Sequence, residues 1–318
     1  MLPFVLLALL IAVNVFLIAL LLRPEPEIFA EPVAQGTEDP TPTATPPASS
    51  TSPEPSSSPT SSSHPPQSSP SAKESPEVVP VKRLIAAVSE NEALRATVGN
   101  CNTSGTVERS TDGGETWIHV VNAGQAPIVR LGMDGTGDFY TIGGAGQDCS
   151  TQYTAYSADG AIVAQTSNPL NLWFSRPKDR DQVHGPGKNR AAPCAQTHVV
   201  GMTSLSISDA LVVCSDGAAI VTSDSGRSWD EADELPGTMA VGSGGGRYWI
   251  AGTSAKCNGI FVRWLRVTNG ELSLGPSRCA PASKVAEGGV AIDVRENAIW
   301  LWAGMEVRTS TDDGESWS

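Results

Sequence analysis

Three copies of one eight-residue motif limit what this chain can fold into. They are Ser110-Thr111-Asp112-Gly113-Gly114-Glu115-Thr116-Trp117, Thr222-Ser223-Asp224-Ser225-Gly226-Arg227-Ser228-Trp229 and Ser310-Thr311-Asp312-Asp313-Gly314-Glu315-Ser316-Trp317. The shared pattern is Ser/Thr-x-Asp-x-Gly-x-Ser/Thr-Trp. A motif that returns in this way points to a repeat architecture, in which each unit buries its apolar faces against its neighbours. The residue types suit a hairpin turn. Asp112, Asp224 and Asp312 are short acceptors that can satisfy nearby backbone donors, and Gly114, Gly226 and Gly314 allow positive φ. The hydroxyls of Ser110, Thr222 and Ser310 can bond locally. Trp117, Trp229 and Trp317 open the next strand with a large apolar surface. Only one carboxylate is common to all three copies, and none offers a recognisable cluster of ligands, so no metal or other cofactor is expected.

The motif resembles the Asp-box, or BNR repeat, of β-propellers such as the sialidases and the photosystem II assembly factor family. That resemblance implies an all-β propeller of four-stranded blades. It does not imply an enzyme, because the box is a folding element. A sialidase needs three arginines around the substrate carboxylate, a Tyr/Glu pair, an aspartic acid and an early Phe/Tyr-Arg-Ile/Leu-Pro motif. This chain has Arg83-Leu84-Ile85 at the corresponding place, and none of Tyr140, Tyr153, Tyr156 and Tyr248 sits beside a glutamate in a matching pattern. No catalytic residue is assigned.

Between the boxes, short β-rich runs alternate with Gly/Ser/Asn turns. Two worn copies, Ser157-Ala158-Asp159-Gly160 and Thr268-Asn269-Gly270, fill the gaps. The turn positions Asp112, Asp159, Asp224, Asn269 and Asp312 are then 47, 65, 45 and 43 residues apart. A blade takes roughly 40 to 50 residues, so one interval carries a surplus of about 20. The expectation is five blades with an insertion near residues 168–195, or six if that insertion hides a worn repeat. The last box ends where an outer strand should begin, and residues 77–81 are expected to close the ring as that strand.

Residues 1–22 carry no charged side chain, and a helix of about 20 apolar residues spans a bilayer. They read as an anchor; a cleaved signal peptide is the alternative, disfavoured because Ile28 stands where a small residue is needed near Ala30. Residues 23–75 are rich in Pro, Ser and Thr, cannot bury enough to fold, and read as a disordered stalk. Residues 76–318 are the propeller, expected to be a monomeric, extracytoplasmic head on a single-pass membrane protein. The formal net charge of −13 disfavours nucleic acid as a partner.

Six cysteines, Cys101, Cys149, Cys194, Cys214, Cys257 and Cys279, suggest three disulfides in an exported head. In an up-and-down blade, four follow second strands and two precede inner strands, which puts all six at the end of the ring opposite the boxes. Six cysteines allow 15 pairings. The preferred set is Cys101–Cys149, Cys194–Cys214 and Cys257–Cys279; a rival keeps the last and joins Cys149 to Cys194. No CxxC or suitably spaced histidine suggests zinc.

The insertion holds Trp173, Arg176, Lys178, Arg180, His184, Lys188 and Arg190. Five basic residues in an acidic chain are expected to form a loop on the cysteine-bearing face. There the arginines would pair with carboxylate or phosphate groups, with Trp173 as a stacking plate. The functional expectation is a non-catalytic module that binds a cell-envelope protein or glycan. The alternatives are a sialidase-like or other glycoside hydrolase and an assembly-factor-like scaffold.

Overall fold

In the computed structural model the chain divides into Met1–Pro70 and Ser71–Ser318, and the described residues, all in the second unit, are 83–318 apart from 135, 136, 170, 187–189, 269, 270, 284 and 287. The anchor at 1–22, the stalk at 23–75, the ring-closing segment at 77–81 and Lys188 lie outside them.

The architecture is an all-β, five-bladed propeller. Blade 1 is β1 (Arg83–Ala87), β2 (Ala93–Thr97), β3 (Gly105–Ser110) and β4 (Ile118–Ala123), paired in that order. Blade 2 is β5 (Ile128–Met133), β6 (Phe139–Ala145), β7 (Ser150–Tyr156) and β8 (Ile162–Thr166). A small sheet follows, made of β9 (Phe174–Ser175), β10 (Val183–His184) and β11 (Arg190–Ala191). Blade 3 is β12 (Val199–Ser204), β13 (Ala210–Cys214), β14 (Ala218–Thr222) and β15 (Asp230–Glu234). Blade 4 is β16 (Thr238–Gly244), β17 (Arg247–Ser254), the long β18 (Cys257–Thr268), and an outer strand split into β19 (Glu271–Leu274) and β20 (Arg278–Ala280), both paired with β18. Blade 5 has three strands among the described residues, β21 (Val290–Arg295), β22 (Ala298–Ala303) and β23 (Glu306–Ser310). Ser318 starts to cover the free edge of β23, exchanging backbone bonds of 3.0 and 3.2 Å with Thr309.

All paired strands are antiparallel, and the second strand of each full-length blade is largely buried, fully so in Ala298–Ala303 and Ala210–Cys214. A middle strand touches neighbouring blades on both faces, so its sequence is a continuous apolar run rather than an alternating one. Each seam has its own core. Ala86, Leu94, Val107, Ile128 and Phe139 join blades 1 and 2. Leu211, Val213, Tyr248 and Ile250 join blades 3 and 4. Trp249, Ile260, Ile292 and Leu301 join blades 4 and 5. Ile85, Ala93, Trp300 and Trp302 close blade 5 onto blade 1. There Arg95 adds a cation between the rings of Trp117 and Trp302, 4.3 and 4.9 Å from their centroids.

The three repeat turns share one hydrogen-bond pattern. In the first, Ser110 Oγ donates to Asp112 Oδ1 at 2.8 Å and accepts from Gly114 N at 2.9 Å, while Thr116 N donates to Asp112 Oδ1 at 2.9 Å. The second uses Thr222, Asp224, Gly226 and Ser228 in the same roles; the third uses Ser310, Asp312, Gly314 and Ser316. Two successive residues take positive φ in each turn, Gly113 and Gly114, Ser225 and Gly226, and Asp313 and Gly314. The second position also lies against an aromatic ring in all three: a Cβ on Gly114 would meet Trp300 at 3.2 Å, one on Gly226 would meet Trp173 at 3.0 Å, and one on Gly314 would meet Trp317 at 3.3 Å.

The insertion corrects an expectation. It is not a surface loop. Two-residue strands turn it into a three-stranded sheet that fills the space between blades 2 and 3, with one core against blade 2 through Phe174, Tyr140 and Ile142 and another against blade 3 through Trp173, Val183, Ala210 and Val212. Trp173 does there what Trp300 does for blade 1. Trp300 lies edge-on to Trp117 (6.3 Å, 80°) and its Nε1 donates to Ser89 O at the β1–β2 turn. Trp173 lies edge-on to Trp229 (5.8 Å, 79°) and its Nε1 donates to Ser206 O and Ile207 O at the β12–β13 turn. Among the described residues, five blades, four of them complete, and a miniature one therefore form the ring.

The disulfides are Cys101–Cys149, Cys194–Cys214 and Cys257–Cys279, the preferred set. The first links blade 1 to blade 2, the second links the insertion to blade 3, and the third lies within blade 4.

Hydrogen bonds from Thr116 or Ser316, and from Ser228, hold the turn carboxyls of Asp112, Asp312 and Asp224 at about 2, below their ordinary 3.8. A depressed folded-state value gives stability that is present above about pH 4 and lost as pH falls through 2. Urea unfolding at pH 5, 3 and 2 is expected to show this loss, and a variant with all three aspartates changed to asparagine is expected to be less stable at pH 5 with a flatter profile.

Candidate functional site

Of the seven insertion residues expected to bind a ligand, the five whose side chains are described, Trp173, Arg176, Lys178, Arg180 and His184, do not form one exposed cluster. Trp173 is 2% exposed, with its ring packed on Trp229 and its indole N–H spent on the β12–β13 turn. It is a core residue toward the repeat-turn end of the ring, not a stacking plate, because burying a blade seam takes the whole ring face. Arg176 is half-buried and braces its own turn, with Nη1 donating to Gln182 Oε1 at 3.3 Å and its backbone N to Gln182 O at 2.9 Å. His184 stacks on Phe174 at 4.7 Å. Lys178 is exposed. The backbone of Arg190 stands opposite His184 in the β10–β11 pair. Of the predicted basic residues, Arg180 lines the central channel, where burial lowers its pKa.

That channel is a cavity of about 410 Å3, within the usual range for small-molecule pockets. Its wall is the five inner strands β1, β5, β12, β16 and β21, completed by the insertion. Three groups were not singled out from the sequence. Arg130, on β5, donates from Nε to Tyr140 Oη (3.1 Å) and from Nη1 to Trp173 O (2.7 Å). Asp181 accepts from Val199 N at 2.9 Å and pairs at 2.8 Å with His198 Nδ1, at the start of β12. Asp293, on β21, accepts from Ala87 N of β1 at 2.9 Å. A signal was available for two of them: Arg130 and Asp293 interrupt the apolar runs Ile128–Leu131 and Val290–Val294. An inner strand has one edge facing the axis, and a charged residue there can turn toward the unpaired N–H groups of neighbouring blades.

Asp293 does this. Burial raises its carboxyl to about 6, opposed by hydrogen bonds from the backbone of Ala87, Val294 and Ser243 and by the charge of Arg130. It therefore ties together the inner edges of blades 1, 4 and 5. Arg83 makes a second tie between blades 1 and 5, donating to Gly289 O and Gly304 O and lying 4.5 Å from the Trp302 centroid. The channel brings two carboxylates and several arginines together, but each carboxylate is already engaged in hydrogen bonds within the fold. Among the described residues no group of three His, Cys, Asp or Glu could hold a metal ion.

Two consequences can be measured. Trp173→Ala is expected to cost about 3–5 kcal/mol by denaturant unfolding, whereas Lys178→Ser should change stability by no more than about 0.5 kcal/mol. The raised Asp293 carboxyl gives stability that is full below about pH 4 and is lost as pH rises through 6, because the folded state keeps a proton that the unfolded chain releases. Asp293→Asn removes this slope, so the variant should gain on the parent chain between pH 4 and pH 7.

No protein-family model matches this sequence, and no curated protein matches it. Solved structures do resemble the fold. The WD40 β-propeller domain of Doa1 is 12% identical, covering 74% of this chain and 95% of that one, with a TM-score of 0.44. YCF48 bound to D1 peptide is 15% identical over 75% of this chain and 66% of that one, TM-score 0.31. The GH43_1 enzyme from Xanthomonas citri complexed with xylose is 13% identical over 75% and 89%, TM-score 0.38. Likeness at this level carries no argument about site or function, and the fold assignment rests on the strand order itself.

Proposed function

We infer that this chain is a membrane-anchored, extracytoplasmic propeller of the Asp-box kind that binds a cell-envelope protein or glycan without turning it over. One observation carries the reading. Three disulfides gather at one end of the ring, one of them tied to an insertion whose Lys178 is exposed in a chain of net charge −13. Disulfides belong to oxidising compartments, and variable segments on a rigid scaffold are where recognition is commonly carried. In this reading residues 1–22 are the anchor, residues 23–75 the stalk, and residues 77–81 the fourth strand of blade 5.

A second reading, a glycoside hydrolase, draws on Asp293. A carboxyl raised to about 6 in a channel beside an arginine has the protonation state of a general acid at mildly acidic pH. Its backbone hydrogen bonds favour a structural role instead.

Replacing Lys178, Lys188 and Arg190 together with serine tests the first reading. Partner capture from cell-envelope extracts should weaken about threefold or more at low salt, and the difference should shrink as salt rises. Unchanged capture would remove the insertion from the binding face. Hydrolysis of aryl glycosides by the parent chain, abolished in Asp293→Asn, would replace the binding module with the enzyme.

A further inference from the structure

The channel has a charge balance unlike that of the chain around it. The protein carries a formal net charge of −13, yet the channel wall holds four arginines, Arg83, Arg130, Arg180 and Arg295, against two aspartates, Asp181 and Asp293. Both aspartates are occupied, Asp181 by His198 and Val199 N and Asp293 by Ala87 N. Arg83 and Arg130 enter none of the ion pairs formed among the described residues. Their hydrogen bonds go to neutral groups. Arg130 acts on the Asp293 carboxyl only through space, and a cation held in a low-dielectric cleft without a carboxylate in contact raises the local concentration of anions there.

Arg130 is the better placed of the two. Arg83 is engaged by two carbonyls and the Trp302 ring. Arg130 has Nε fixed by Tyr140 and Nη1 fixed by the Trp173 carbonyl, and its Nη2 is left without a hydrogen-bond partner among the described residues. Bonds from Nε and Nη1 fix the plane of the guanidinium, and with it the direction of the remaining donor, before any ligand arrives, which lowers the entropy cost of binding. The wall also carries half-buried aliphatic side chains, Leu84, Met202 and Met239. A site with one oriented cation and an apolar wall fits an anion with an apolar body better than a small, fully hydrated one.

We propose that the central channel binds a small organic acid, with Arg130 Nη2 holding the carboxylate and Leu84, Met202 and Met239 covering the aliphatic part. Lys178 is not among the residues that line the channel, and the proposal stands on Arg130 rather than on the insertion, so either reading can fail alone.

The test is calorimetric titration of the full chain with hexanoate, hexanamide and inorganic phosphate. Hexanoate is expected to bind saturably, with hexanamide and phosphate at least about tenfold weaker. Arg130→Gln is expected to weaken hexanoate about tenfold or more, because a hydrogen bond to a charged group is lost. Tyr140→Phe frees the guanidinium without removing it and is expected to weaken hexanoate several-fold. Lys178→Ser should leave the affinity unchanged. Absence of hexanoate binding to the parent chain overturns the proposal, as does equal binding of hexanamide or phosphate. Undiminished affinity in a folded Arg130→Gln variant also overturns it. If that variant does not fold, by its thermal unfolding curve, undiminished affinity in Tyr140→Phe overturns it instead.

Discussion

A twisted sheet with two apolar faces must be covered on both, and the rest of this structure depends on that requirement. No blade here has a private core. Trp300 is buried only because blade 1 stands beside it, and Ile250 only because blade 3 does. Radial repetition satisfies every face at once, provided the ring is complete. The long interval between the second and third repeat turns is the place where completion is at risk. Three strands of two residues each, carrying Trp173 and Phe174 on opposite seams, supply the missing cover at small cost in chain length.

The repeat turns show how local chemistry serves that packing. Each aspartate and hydroxyl satisfies the backbone of a tight turn, and the glycine allows a neighbouring indole to come within van der Waals distance of the main chain. The turn thereby becomes both a rigid cap on its hairpin and part of the seam with the preceding blade. Trp229 differs from Trp117 and Trp317 in one respect: the latter two donate to Gly114 O and Gly314 O, while the Trp229 indole N–H has no partner among the described residues. Its edge contact with Trp173 accounts for its place, since that contact is what joins blade 3 to the miniature sheet.

At the axis the same geometry produces the channel. Inner strands have one edge without a strand partner, and their N–H groups need acceptors. Asp293 answers for three blades, and its carboxylate is consumed in doing so. Arginines from β1 and β5 are consumed only in part, by carbonyls and a phenol. An acidic protein thus encloses a cavity whose uncommitted charge is positive. The charge total of the chain gives no hint of this, because the acidic residues lie mainly at turns and outer strands, as in Asp230–Glu234.

The sequence by itself determined the repeat, the turn chemistry and the propeller class, with five blades preferred over six, because these follow from residue type at fixed spacing and need no knowledge of distant contacts. It also placed the six cysteines at one end, since strand direction alternates within a blade, although it left their pairing open until neighbouring loops were brought within reach. Tertiary structure alone decided the fate of the insertion. Its basic residues read as a solvent-facing grip, but its two aromatics had seams to fill, and burying a Trp ring outweighs what an exposed cation gains in water. The channel groups were equally out of reach. Arg83, Arg130, Asp181, His198 and Asp293 are up to 210 residues apart in the chain, and only closing the ring brings them to one axis.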